Sequence, residues 1–134
     1  VQTCALPISL GPDIRFAAPD MRMSILEIKW GMIPDVGITQ TLRNLVSLDV
    51  AKELTFTGRI LDGQAAKELG LVTHVSENPL EAAMELAAEI ASKSPDAIRS
   101  VNGSHVSTAF PPDFFRMMVF TPVQAALSVN LSEE

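Results

Sequence analysis

The sequence predicts a mixed α/β fold, and three observations carry that expectation. Short runs in which apolar and polar residues alternate, such as DIRFA at 13–17, give way to stretches whose apolar residues recur at helical spacing. Gly, Pro, Asp and Asn cluster between those runs, where the backbone must turn. Strands that alternate with helices pack as layers around one core. The chain has 134 residues, enough for one such core, since a domain of about 150 residues buries roughly two-thirds of its unfolded surface.

The opening VQTCALPI holds no basic residue and no long apolar run, so it does not read as a targeting segment. It back-translates codon by codon into GTTCAGACGTGTGCTCTTCCGATC, which resembles a sequencing-library adapter. Residues 1–9 are therefore expected to be non-native, and the front of the fold to be missing. From Asp13 the elements follow in order. In residues 13–17, Ile14 and Phe16 share a face, as in a half-buried strand, and Ala18-Pro19-Asp20 reads as a turn. RMSILEI at 22–28 reads as a second short strand running into a loop marked by Gly31, Pro34, Asp35 and Gly37.

From Ile38 the spacing becomes helical, through Leu42, Leu45 and Val46, and a second helix carries Leu48, Ala51 and Leu54 up to Gly58. DGQAAKELG is a short helix with Asp62 as N-cap and Gly70 as C-cap. LVTHV at 71–75 reads as a strand. Asn78-Pro79 opens the clearest helix, since Pro is favoured at the first helical position. Its expected buried stripe is Leu80, Ala83, Met84, Ala87, Ile90 and Ala91, with Glu81, Glu85 and Glu89 on the wet face. Ser94-Pro95-Asp96 repeats the start signal for a helix reaching to about Ala109. Beyond Phe110 the pattern loosens, and one more helix is expected from Pro122 to Leu131.

Several function classes fall away on composition. Ten Lys and Arg stand against 16 Asp and Glu, with no basic run to displace counterions from phosphates, so nucleic acid is not an expected partner. Apolar stretches such as VQAALSV fall well short of the roughly 20 residues of a membrane span. The single cysteine, Cys4, supports no disulfide framework or thiol site and fits a reducing compartment, so a cytoplasmic location is expected. The frames GxSxG, HExxH, GxxxxGK[ST] and GxGxxG are all absent, which leaves a dinucleotide-binding domain without its glycine fingerprint. His74 and His105 stand alone, as packed or solvated histidines do, and no metal site is expected.

The informative stretch is DIRFAAPDMRMSILEIKWGMIPDVGITQTL, continued by ELTFTGRILDGQAAKELGLVTHV and the KSPDAI helix start. In order and spacing these blocks resemble the crotonase, or enoyl-CoA hydratase/isomerase, family over residues 11–109. The resemblance implies an incomplete crotonase-like (ClpP/crotonase) superhelix of ββα units, with residues 10–109 forming the C-terminal part of the core and 110–134 a helical tail. It implies an acyl-CoA substrate, no tightly bound cofactor, and a homotrimer or hexamer in the full-length protein. Such enzymes hold a thioester enolate with two backbone N–H groups and use one or two glutamates to move protons.

Glu27 matches the family's second catalytic glutamate, and Trp30 and Met32 would line the acyl pocket. Outside the resemblance, a Glu at a strand end is ordinarily a surface residue, and Trp or Met on an apolar loop ordinarily packs in a core. Two positions depart from the family pattern: Leu26 stands where many hydratases have Pro, and Ile38 replaces one glycine of a pair. The oxyanion groups and first glutamate belong to segments ahead of Asp13, so the chain alone is expected to be inactive. The leading expectation is a truncated enoyl-CoA hydratase of the fatty acid β-oxidation type. The alternatives are a double-bond isomerase working with a single glutamate, and a non-enzymatic oligomerisation module. Either way, unpaired strand edges and 47% hydrophobic content lead to an expectation of self-association.

Overall fold

The computed structural model describes residues 9–34, 37–98 and 100, and the backbone of 116–120 and 127–130. Strand β1 (Ile14–Ala17) is followed by a short 3-10 helix (Glu27–Trp30), helices α1 (Ile38–Leu45), α2 (Leu48–Thr57) and α3 (Gly63–Glu68), and strand β2 (His74–Val75). Helix α4 (Pro79–Ala91) and strands β3 (Arg116–Phe120) and β4 (Leu127–Asn130) complete the order. The sheet runs β2-β1-β3-β4, with β1 parallel to both β2 and β3, and β3 antiparallel to β4.

Strand β1 is covered on both faces, not half-buried as its alternation predicts. Phe16 packs with Ala83 and Ala87 of α4, while Ala17 on the other face joins the main core with Leu10, Met23, Ile38, Leu54 and Leu71. Burying Phe16 contributes about 2 kcal/mol. Arg15 shares the Ala17 face and is only 7% exposed. A charged residue tolerates that place because its donors are used: Nε donates to the Leu71 carbonyl at 2.7 Å and Nη1 to the Pro12 carbonyl at 2.7 Å. Nη2 reaches towards the Gly70 carbonyl at 3.5 Å. Burial draws the Arg15 pKa below its ordinary value, and the nearby Asp13 opposes that shift.

The short helix α3 forms as its caps predict. The Asp62 carboxylate accepts from the Ala65 N–H at 2.8 Å. At the other end the N–H of Gly70 donates to Lys67 and that of Leu71 to Ala66, the paired bonds of a Schellman motif, with Gly70 at φ 80° one position beyond the cap Leu69. That turn delivers Leu71 and Val72 into the core, so the expected strand at 71–75 shortens to His74–Val75. His74 is exposed and stacks on Phe16 with ring centroids 4.8 Å apart. His105 lies outside the described residues.

Four further expectations are corrected. Among the described residues, 22–26 make a single ladder contact, the antiparallel bridge Met23–Leu61, because the stretch that carries Leu61 turns into α3 directly after it, and residues 27–28 belong to the 3-10 helix. In α4 the buried positions are Pro79, Ala83 and Ala87, with Ala82, Leu86 and Ile90 partly buried, whereas Leu80 and Met84 are exposed. The helix rotates to seat its small residues on β1, since Ala83 and Ala87 allow a close approach. Asn78 is the N-cap of α4, but its side chain makes no capping bond. In place of a helix from Pro122 to Leu131, residues 127–130 form β4; a short apolar run such as ALSVNL suits either element, and pairing with β3 decides. The helix expected from Ser94 begins as predicted, with the Ile98 N–H donating to the Ser94 carbonyl, and its continuation lies outside the described residues. Among the described residues no helix is long and apolar enough to cross a membrane.

Candidate functional site

Glu27 begins the 3-10 helix that follows residues 22–26. Leu26, buried like Met23 and Ile25, anchors the chain immediately before it. The turn closes at Gly31, whose φ of 67° lets its N–H reach back to the carbonyls of Glu27 and Ile28. The Met32 N–H also donates to the Glu27 carbonyl, at 3.1 Å. The Glu27 backbone is thus held by two successive donors, and its side chain is fixed at the root.

The Glu27 side chain does not behave as a surface carboxylate. Its Oε2 is buried and has no hydrogen-bond partner among the described residues. Buried carboxylate oxygens are ordinarily satisfied, because leaving one without a donor costs about 1–3 kcal/mol. An oxygen held in that state is free to accept from, or give a proton to, a group that enters the site. Among the described residues no cluster of His, Cys, Asp or Glu is arranged to hold a metal ion.

Trp30 and Met32 lie within the same turn and are 74% and 55% exposed, so neither is a core residue in this chain. Ile28, Ile33, Phe56 and Ile60 are exposed as well. Phe56 and Ile60 flank Gly58, which sits against Ile28, so the end of α2 and the Glu27 turn display apolar side chains in one neighbourhood. Phe56 falls off the Leu48, Ala51, Leu54 stripe, which is the sequence signal that would have marked it. Sequence reasoning also passed over Ser24, a lone hydroxyl inside RMSILEI, and read Gly58 only as the end of a helix. Ser24 is buried and donates to the Gly58 carbonyl at 2.8 Å.

A family model described as enoyl-CoA hydratase/isomerase matches residues 6–113. Among curated proteins, the mitochondrial methylglutaconyl-CoA hydratase of Mus musculus is 41% identical over 100 residues, which cover 70% of this chain and 32% of that protein. The enoyl-CoA isomerase/hydratase fer4 of Mycosarcoma maydis is 36% identical over 98 residues, covering 71% of this chain and 36% of its own length. Among solved structures, an enoyl-CoA hydratase from Mycobacterium tuberculosis superposes with a TM-score of 0.69 at 28% identity, over 75% of this chain and 46% of that one. The chain therefore spans about a third of the length of the curated relatives it matches. Over the matched part, the solved structures share its crotonase-like α/β arrangement.

Proposed function

Because the chain belongs to the enoyl-CoA hydratase/isomerase family, we propose that it supplies the Glu27-bearing part of an active site that works on coenzyme A thioesters. The reading favoured is hydration of a trans-2-enoyl thioester through an enolate, as in fatty acid β-oxidation. The observation that carries it is the buried Oε2 of Glu27, without a hydrogen-bond partner among the described residues, on a turn fixed at both ends. A carboxyl group in that position delivers a proton to the α-carbon while water adds at the β-carbon. The enolate oxygen is held by two backbone N–H groups that the family resemblance assigns to polypeptide ahead of β1. Each such donor in a dry site is worth about 3–4 kcal/mol.

A second carboxylate would activate the water. With Glu27 alone, one carboxylate can take a proton from the γ-carbon and return one at the α-carbon, which moves the double bond instead. The fungal relative, whose name joins isomerase to hydratase, favours keeping isomerisation as the second reading. In either reaction the substrate brings the coenzyme A and the protein needs no resident cofactor. In this reading Trp30 and Met32 line the acyl chain; their exposed apolar side chains, which would gain from being covered, support it. Exposed Ile33 and Phe56 support an assembly of several copies, a trimer or hexamer. The single Cys4 supports a reducing compartment such as the cytoplasm.

The test is a chimera in which residues 10–109 replace the matching segment of the mouse hydratase. It is expected to hydrate crotonyl-CoA, and Glu27→Gln is expected to lower kcat/KM about 100-fold or more, the range for a positioned acid–base group. A chimera indifferent to that substitution contradicts the assignment. The 134-residue chain by itself is expected to show no hydration.

A further inference from the structure

We propose that Ser24 and Gly58 form a bracket that positions the Glu27 carboxylate, with Ser24 acting as a positioning residue that never meets substrate. The inference rests on the reading of Glu27 given above, but its geometry stands apart from it. Two non-local ties join residues 23–24 to the segment after α2. Met23 and Leu61 exchange both backbone bonds, at 2.9 and 2.8 Å, and the Ser24 hydroxyl donates to the Gly58 carbonyl at 2.8 Å. Both Met23 and Ser24 are buried.

Gly58 then serves as the seat for the Glu27 turn. Its φ is 58°, and a Cβ at this position would stand 3.0 Å from Ile28 Cγ2 and 3.2 Å from the Ile25 carbonyl oxygen. The residues on either side of Leu26-Glu27 therefore rest directly on the Gly58 backbone, a distance only glycine permits. Ser24 fixes the direction of the Gly58 carbonyl, Gly58 fixes the height of Ile25 and Ile28, and Glu27 lies between them. A hydroxyl at 24 is what a hydrophobic strand pattern would not supply. It is placed where a donor is needed to hold this carbonyl.

The experiment is carbon-detected NMR of the full 134-residue chain with carboxyl-labelled glutamate, the Glu27 signal being the one lost in Glu27→Gln. Ser24→Ala is expected to move that signal, and Ser24→Thr, which keeps the hydroxyl, to restore it. Leu86→Ala, a destabilising change on α4 away from the bracket, is expected to leave it in place, so general loss of stability is separated from positioning. If Ser24→Ala does not fold, Gly58→Asn carries the test, since Asn tolerates positive φ but brings a Cβ against Ile28. It too is expected to move the Glu27 signal. A Glu27 signal unmoved in a folded Ser24→Ala or Gly58→Asn chain, or moved equally by Leu86→Ala, overturns the proposal. Loss of the catalytic reading of Glu27 would show in the chimera's kinetics and leave these shifts untouched.

Discussion

Arg15 and Glu27 are both charged side chains drawn into the protein, and their surroundings are opposite. Arg15 is ringed by the carbonyls of Pro12, Gly70 and Leu71, with Asp13 nearby, and joins the start of β1 to the turn between α3 and β2. Glu27 stands on a well-held backbone, yet one of its carboxylate oxygens is buried without a donor among the described residues. The first arrangement lowers the energy of the fold. The second costs stability, and such a cost persists where a function needs the group. The neighbourhoods agree: around Arg15 the apolar residues are buried, whereas around Glu27 the side chains of Ile28, Trp30, Met32 and Phe56 stand in solvent.

The sharpest way to break the comparison is at Arg15. Arg15→Met is expected to lower the unfolding free energy by about 3 kcal/mol, because three carbonyls lose a donor at roughly 1 kcal/mol each. Urea denaturation measures it, and a loss below that of an ordinary surface change would mean that the ring of carbonyls is not what holds this region. A smaller effect is expected from Asp62→Ala, which removes the N-cap of the helix whose far end presents Gly70 and Leu71 to Arg15. The expected loss is about 1 kcal/mol in the same assay.

The smallest effect concerns the helix that carries Gly58. At its start the Ser47 side chain caps no helix N–H; it bonds the Asp49 carboxylate instead, and with the N–H groups of Val50 and Asp49 it holds that carboxyl below its ordinary pKa. A folded value below the unfolded one means that the stabilisation is complete above the ordinary aspartate range and is lost as pH falls through the depressed value. Ser47→Ala should raise the Asp49 pKa towards the ordinary range in an NMR titration, with little change in stability near neutral pH. An unchanged titration would assign the shift to the backbone donors alone.

What could be read from the sequence was local. The end of α2 follows from Gly58, and the two ends of α3 from Asp62 and Gly70, because caps act within a few residues. Glu27 was singled out through the order of several blocks, from AAPD to LGLV. Partnerships across the chain were not legible. Nothing near residues 22–26 says that Leu61 will offer one bridge and then turn away, or that α4 will face β1 with Ala83 and Ala87 and leave Met84 exposed. Arg15 was hidden for the same reason: a charge in an alternating strand reads as solvated until the carbonyls some 55 residues later arrive to meet it. Ser24 and Gly58, 34 residues apart, escaped likewise.

The claim that Glu27 is kept for function at a cost to the fold is tested most directly by the unfolding free energy of Glu27→Met in the intact chain. Removing a buried oxygen that has no donor among the described residues is predicted to leave stability unchanged or to raise it by about 1 kcal/mol. A loss comparable to that of Arg15→Met would show that Glu27 is held as firmly as Arg15, and would contradict the account.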